Sequence, residues 1–232
     1  MVDKEFCMSS YLVFRYIIDN NREFYPNIRH DLYKSDEEKI IYVKNVHDID
    51  ENITKQILEL RSKKIGLLLS GGMDSACLAS YLSGIDAYTF RFDDGRKYSD
   101  EIKRAQIYAE RNRMNLHYVD VEWDSISKCL DDLMKRKGAP VHSIEPQLFI
   151  AAQQAIKDGV ETLIIGDAAD YVFGGMDRLY SKDWNYEEFI DRYSYVEPSK
   201  VLIKPVSMER AFQEYKCGNK IVVAKYLIAY FF

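Results

Sequence analysis

The most informative segment of the chain is Lys64-Ile-Gly-Leu-Leu-Leu-Ser-Gly-Gly-Met-Asp-Ser-Ala-Cys-Leu-Ala-Ser-Tyr-Leu82. Residues 64–69 form an apolar run of the length expected for a strand that is buried on both faces. Residues 75–82 have the pattern of a helix, and the two glycines before them allow a tight turn. The segment therefore predicts a strand, a turn and a helix in succession.

The same alternation continues on the carboxyl side of this segment. Further strands are predicted at 87–92, 116–121 and 162–165, and helices at 99–113, 125–137 and 146–157. Strands that alternate with helices of this length imply right-handed crossovers and a parallel sheet. We therefore predict a doubly wound α/β domain over residues 48–176, with helices on both faces of the sheet.

Two segments flank the predicted domain. Residues 1–47 form an amino-terminal segment with strand-like stretches at 12–18 and 40–43, and residues 177–232 form a mostly helical extension. Residues 221–232 are apolar apart from Lys225, so we expect them to be buried in a homodimer or against a partner chain.

The composition excludes several classes of protein. A chain of 232 residues that is 47% hydrophobic can bury a core, which excludes disorder. The net charge of -5 argues against nucleic-acid binding, and the four cysteines lack metal-ligand spacing. No apolar run approaches the roughly 20 residues of a membrane span, and the amino end has no secretory signal. We therefore predict a cytoplasmic protein that does not enter a membrane.

The turn Ser70-Gly71-Gly72-Met73-Asp74-Ser75 carries the first chemical signal. Backbone amides in a glycine turn and in the first turn of a helix can converge on one phosphate group. The hydroxyls of Ser70 and Ser75 can donate to the same anion, and Asp74 can hold a magnesium ion that the phosphates share. The alternative is a structural turn that requires glycine, with Ser75 as a helix cap.

This turn resembles the pyrophosphate-binding loop of the N-type ATP pyrophosphatases, the PP-loop superfamily. These enzymes cleave ATP between its α and β phosphates and so adenylate a substrate. The resemblance implies an adenine nucleotide alpha hydrolase-like fold.

A second stretch, Gly166-Asp-Ala-Ala-Asp-Tyr-Val-Phe-Gly-Gly175, follows the last predicted strand. It resembles the Gly-Glu-Gly-Ala-Asp-Glu-Leu-Phe-Gly-Gly segment of asparagine synthetase and its relatives. Asp170 matches the second magnesium-binding aspartate of that family. The alternative is a solvated acidic loop with glycine turns.

The resemblance implies a set of site residues. Asp74 and Asp170 would hold magnesium, Asp167 and Lys225 would be catalytic, and Lys220 is the alternative to Lys225. Phe92 would line the adenine pocket or belong to the core. The nucleotide contacts implied are Leu68, Ser70, Gly71, Gly72, Asp74, Ser75, Phe92 and Gly166.

Two features of the family are missing from the sequence. No glutaminase domain is present, so we expect ammonia or an amine as the nitrogen donor, with a separate glutaminase as its source. No acid stands at 138–140, where the family has a glutamate, and Glu145 is the nearest downstream substitute.

These features together predict an ATP-dependent ligase that adenylates a small-molecule carboxylate, releases pyrophosphate and forms an amide. Two alternatives remain open. One is another PP-loop enzyme that acts on a nucleotide, a tRNA or a small metabolite. The other is a non-catalytic nucleotide-binding subunit of an amidotransferase complex.

Overall fold

The computed structural model of the protein describes residues 1–30, 41–92, 100–167, 184–193 and 196–216. The chain divides into two compact units, one formed by Asp36–Cys129 and Ser143–Asp167, the other by Met1–Ser35, Leu130–His142 and Ala168–Phe232. The elements in chain order are α1 (Lys4–Phe14), α2 (Val46–Glu59), β1 (Ile65–Leu68), α3 (Met73–Ser80), β2 (Asp86–Phe92), α4 (Asp100–Arg111), β3 (Asn115–Val121), α5 (Trp123–Lys137), α6 (Glu145–Lys157), β4 (Thr162–Ile164), α7 (Tyr186–Tyr193), α8 (Pro198–Val201) and α9 (Met208–Lys216).

The first unit contains a four-stranded sheet in the order β3-β2-β1-β4, in which all neighbours are parallel. The chain moves outward from β1 through β2 to β3 and then returns to the other side of β1. Leu67 pairs with Ala87 on one side and with Ile164 on the other. The strand order therefore reverses between β1 and β4, which is the switch point of a doubly wound sheet.

Both faces of this sheet are covered, as the apolar runs predict. Leu67 and Leu69 pack on one face with Ala79 of α3 and with Ala105 of α4. Leu68 faces the opposite side. Its cluster on that face contains Tyr88, Val119, Val121, Leu148, Ala151, Ala155 and Val160. The predicted doubly wound α/β fold is confirmed.

The second unit has a smaller core, formed by Cys7, Tyr11, Ile17, Phe24 and Ala139. The strand predicted at 12–18 is wrong, because helix α1 runs through Phe14. The Asp3 carboxylate caps this helix by accepting a hydrogen bond from the backbone amide of Phe6 at 3.0 Å. The buried residues Cys7, Tyr11 and Phe14 recur at the spacing of one helix face, and Leu12 is exposed on another face.

Two further differences concern the region before the sheet. Residues 41–43 form no strand, although the sequence predicts one at 40–43. Helix α2 follows and is absent from the prediction; the side chain of Asn45 caps it by accepting from the backbone amides of His47 and Asp48. Within the described parts of the chain, no helix combines the length and the apolar character needed to cross a membrane.

Candidate nucleotide-binding site

The loops that follow β1 and β4 meet at the carboxyl edge of the sheet, at its switch point. Residues 69–72 connect β1 to α3, and Gly166 and Asp167 follow β4 after Ile165. Ligands of open α/β sheets bind outside the carboxyl ends of the strands at such a point. The strand order thus brings the two sequence motifs to one place.

Gly71 adopts a backbone conformation that favours glycine, with φ +79°. A Cβ atom at this position would lie 2.1 Å from the carbonyl oxygen of Glu101, in the first turn of α4. Arg104, one turn further along α4, donates a hydrogen bond from Nε to the carbonyl oxygen of Gly71 at 2.9 Å. Contacts from α4 therefore hold the backbone of Gly71 in this conformation.

A chain of hydrogen bonds joins the two serine hydroxyls of the turn. Ser75 Oγ donates to the carbonyl oxygen of Gly72 at 3.1 Å. Ser70 Oγ lies 3.1 Å from Ser75 Oγ and accepts from the backbone amide of Gly72 at 3.3 Å. Either serine hydroxyl can donate to the other, and the carbonyl oxygen of Gly72 is a second acceptor within reach of Ser75. A bound anion could replace these acceptors and receive a hydrogen bond from the Ser70 hydroxyl.

Helix α3 presents its amino terminus at this turn. Its first backbone hydrogen bond runs from Ala76 N to the carbonyl oxygen of Gly72 at 3.1 Å. The amides of Met73, Asp74 and Ser75 are therefore not used by the helix, and the N-cap residue Gly72 provides no side-chain cap. These amides and the helix dipole favour an anion at this end of α3.

The backbone after β4 packs directly against the first turn of α3. A Cβ atom on Gly166 would lie 3.0 Å from the backbone nitrogen of Ser75 and 3.2 Å from the carbonyl carbon of Asp74. Any side chain at 166 would push the two segments apart. The glycine therefore permits the close approach of the backbone just before Asp167 to the first turn of α3.

The donor set near this turn fits a magnesium ion. Asp74 and Asp167 are both exposed, and their carboxylates are hard oxygen ligands of the kind that Mg²⁺ prefers. Magnesium is usually bound by one or two carboxylates together with phosphate oxygens and water, so the Asp74 carboxylate at this turn is enough to fit the ion. Among the residues described, no group of three or more His, Cys, Asp or Glu side chains could hold a metal ion alone.

The remaining predicted site residues are placed less directly. Phe92 ends β2 and is 46% exposed, so its ring is partly open at the carboxyl edge of the sheet. Leu68 is only 8% exposed and packs in the core, so any ligand contact it makes would come from its backbone. Asp170, Lys220 and Lys225 lie outside the described residues, as does the apolar stretch 221–232.

Glu145 and residues 138–140 are also placed by the structure. Glu145 begins helix α6 in the α/β unit. Gly138 and Ala139 belong to the other unit, where Ala139 is completely buried in the core. Glu101 and Arg104 are the contacts that the sequence analysis missed. The sequence offers no signal for them, because they lie on a later helix and act through its packing.

A glycine turn at the switch point of a parallel sheet, with helix amides that α3 does not use and with exposed carboxylates, is a candidate anion site of an α/β protein. Residues 54–229 match the asparagine synthase family. A Methanocaldococcus jannaschii protein named as a glutamine-hydrolysing asparagine synthetase is 29% identical over 129 residues, which cover 50% of this chain and 22% of that protein.

A solved NH3-dependent NAD synthetase from Campylobacter jejuni, in complex with a nitrate ion, covers 82% of this chain and 91% of its own. That alignment has 13% sequence identity and a TM-score of 0.35. Because the family match extends over more than half of the sequence, this chain belongs to the asparagine synthase family, whose members are ATP-using amide-forming ligases. The chain spans 22% of the length of the M. jannaschii relative.

Proposed function

We propose that the protein is an ATP-dependent ligase that adenylates a small-molecule carboxylate and converts it to an amide with ammonia or an amine. The single observation that carries this proposal is the contact between the two motifs, where Gly166 lies against the backbone of Asp74 and Ser75. In the proposed reaction, these two segments, which are far apart in sequence, would present amides, hydroxyls and carboxylates toward one polyphosphate.

In this reaction a carboxylate oxygen of the substrate attacks the α phosphorus of ATP. The bond between that phosphorus and the bridging oxygen breaks, and pyrophosphate leaves with the electron pair. The amine nitrogen then attacks the acyl carbon, AMP leaves, and the nitrogen loses a proton to a base. Ser70, Ser75 and the first amides of α3 would bind the pyrophosphate part and stabilise the charge that develops on it.

Asp74 would hold magnesium, together with Asp170 as the resemblance implies. The ion would lower the charge repulsion between the triphosphate and the incoming carboxylate. Asp167 and one of Lys225 and Lys220 would complete the catalytic set. A lysine ammonium near the α phosphorus would stabilise the negative charge of the transition state.

Nitrogen supply and assembly belong to the same proposal. We propose ammonia or an amine as the nitrogen donor, with a separate glutaminase as a source of ammonia, since a relative of this chain is named as glutamine-hydrolysing. The apolar residues 221–232 would be buried in a homodimer or against that partner.

A second candidate is a nucleotide-binding subunit without catalytic activity. It is favoured by Ala139, which is fully buried and stands where the resemblance places a glutamate. A third reading, adenylation of a nucleotide, a tRNA or a small metabolite, differs from the first only in the acceptor.

Release of pyrophosphate from ATP, screened over carboxylates with ammonium present, tests the proposal. We expect Asp74→Asn to reduce this release by about 100-fold or more, because the magnesium ligand is lost. The matched control is Asp124→Asn, which removes an exposed carboxylate from the first turn of α5 and leaves the glycine turn intact.

The control should retain nearly full activity. Equal losses in the two variants would reject a specific role for Asp74. Wild-type protein that binds ATP without releasing pyrophosphate for any acceptor would favour the non-catalytic subunit.

A further inference from the structure

Arg104 contacts the glycine turn although it belongs to a different element. Its Nε donates to the carbonyl oxygen of Gly71 at 2.9 Å, across 33 positions of the chain. Glu101, three residues earlier on α4, fills the space next to Gly71. Glu101 contacts Gly71 through its backbone carbonyl and Arg104 through its side chain, so the amino-terminal part of α4 makes both contacts.

The Gly71 carbonyl and the Gly72 amide belong to one peptide unit, so fixing one also fixes the other. In a trans peptide the carbonyl and the N–H point in opposite directions. The carbonyl accepts from Arg104, and the N–H on the opposite side donates to Ser70 Oγ at 3.3 Å. Arg104 therefore sets the direction of the Gly72 amide and, through it, the position of the Ser70 hydroxyl.

A peptide unit between two glycines reverses easily, because glycine adopts positive and negative φ at similar cost. Reversal would replace the Gly72 N–H with the Gly71 carbonyl oxygen on the side of Ser70. That oxygen carries partial negative charge and would repel a phosphate group. The hydrogen bond from Arg104 opposes this reversal.

We propose that Arg104 is a positioning residue for the phosphate-binding turn and acts through the peptide unit of Gly71 and Gly72. This role rests on the proposed function and deepens it, since it assigns the affinity of the turn for pyrophosphate to a residue outside both sequence motifs. It requires the hydrogen bond from Nε, and the positive charge of Arg104 by itself is not sufficient.

The test compares the binding of inorganic pyrophosphate and of adenosine by isothermal titration calorimetry. We expect Arg104→Met to weaken pyrophosphate binding about tenfold while adenosine binding is unchanged. The matched control is Lys103→Met, which removes a neighbouring positive charge whose partner is Asp100, with 3.0 Å between Nζ and Oδ1. This control should bind pyrophosphate nearly as wild type does.

Arg104→Gln separates the hydrogen bond from the charge. The amide nitrogen of glutamine is the same number of bonds from the backbone as the Nε of arginine, so it can donate to Gly71 without a positive charge. We expect Arg104→Gln to bind pyrophosphate within about threefold of wild type. If Arg104→Met does not fold, as judged by near-ultraviolet circular dichroism, Arg104→Ala, which also removes the hydrogen bond, takes its place in the comparison.

Several outcomes would overturn the role of Arg104. One is an equal loss of pyrophosphate affinity in Arg104→Met and Lys103→Met, and another is no loss in Arg104→Met. A third is a loss of about tenfold in Arg104→Gln. If Ser70→Ala weakens pyrophosphate binding and Arg104→Met does not, only this role is wrong. If wild-type protein binds neither pyrophosphate nor ATP, the proposed function is wrong and this role with it.

Discussion

Gly71 combines two constraints that are usually separate. Its φ of +79° disfavours any side chain, and the carbonyl oxygen of Glu101 occupies the place that a Cβ atom would take. Gly84 also has a positive φ, +70°, but nothing lies within 4 Å of its Cβ position. The two glycines of the same unit therefore differ only in the second constraint.

We expect Gly71→Ala to lower the free energy of unfolding by about 2 kcal/mol or more, because conformational strain and a backbone clash add. Gly84→Ala should cost about 1 kcal/mol, from strain alone. Urea unfolding followed by circular dichroism measures both. Equal losses would mean that α4 does not pack on the turn as the structure has it.

Lys137, the last residue of α5, is a buried cation. Its place at the end of a basic helix terminus, residues 135–137, suggests a solvated side chain, yet Lys137 is only 6% exposed. Its ammonium group donates to the hydroxyl of Tyr11 and lies 4.3 Å from the centre of the Tyr11 ring. A buried cation depends strongly on such partners.

Replacing Tyr11 with phenylalanine should therefore destabilise the protein. We expect Tyr11→Phe to lower the free energy of unfolding by about 1–3 kcal/mol, because a hydrogen bond to a buried charge is lost. The control is Tyr25→Phe, which removes a hydroxyl that donates to Asp131 Oδ1 at 2.9 Å at an exposed position. Thermal and urea unfolding should give a loss of about 0.5 kcal/mol or less for the control.

At the scale of elements, a polar network joins the amino ends of the strands, at the edge opposite the glycine turn. Asp86 at the start of β2 accepts from Asn115 at 3.0 Å, pairs with Lys64 at 3.3 Å and lies 2.9 Å from His117 Nε2. The hydrogen bond with His117, followed by those from Asn115 and Lys64, lowers the pKa of Asp86 below its ordinary value of 3.8, although burial opposes the shift. The network thus connects β1, β2 and β3.

The stability that Asp86 provides should depend on pH. Because its pKa is lower in the folded state than in the unfolded one, its contribution is present above pH 3.8 and is lost as the pH falls through the folded value. We expect Asp86→Asn to lower the free energy of unfolding by about 1–2 kcal/mol at neutral pH, with the difference from wild type shrinking in acid.

Urea unfolding of both proteins across this pH range measures the effect. Asp124→Asn, which removes an exposed carboxylate from α5, serves as the control and should show no comparable pH dependence. A difference between Asp86→Asn and wild type that stays constant into acid would contradict the assigned role of the carboxylate.

Elements with one clear apolar period could be predicted from the sequence. Strand β1 is an apolar run because its side chains pack on both faces of the sheet, and the helices from α3 to α6 bury one face each. Helix α2 was missed although Ile49, Ile53 and Ile57 recur at helical spacing and are half-buried. The strand at 12–18 was predicted wrongly because a helix that buries Tyr11 and Phe14 passes through apolar and aromatic residues that also suit strands.

Only the part of the candidate site that is formed by neighbouring residues could be predicted from the sequence. The glycine turn is a contiguous run, so its chemistry can be derived from neighbouring residues. The contact of Glu101 and Arg104 with Gly71 depends on how α4 packs, and no local pattern encodes it. The roles of the named site residues remain predictions.

At the scale of the whole molecule, the order of the strands makes the site. The sequence predicts parallel strands but not that β4 lies beside β1, and this neighbour relation brings Gly166 to the first turn of α3. Membership of the asparagine synthase family agrees with a site that uses ATP at this point. The proposed function predicts which bond of ATP is broken, and this prediction can be tested directly.

Phosphorus NMR of the products identifies that bond. The wild-type protein would be incubated with ATP, magnesium, ammonium and a panel of small carboxylates, with Asp74→Asn as the inactive comparison. We expect AMP and pyrophosphate in equal amounts, matched by one amide per AMP and absent from the variant. Formation of ADP and inorganic phosphate by the wild type would contradict cleavage at the inner phosphate linkage and with it the proposed function.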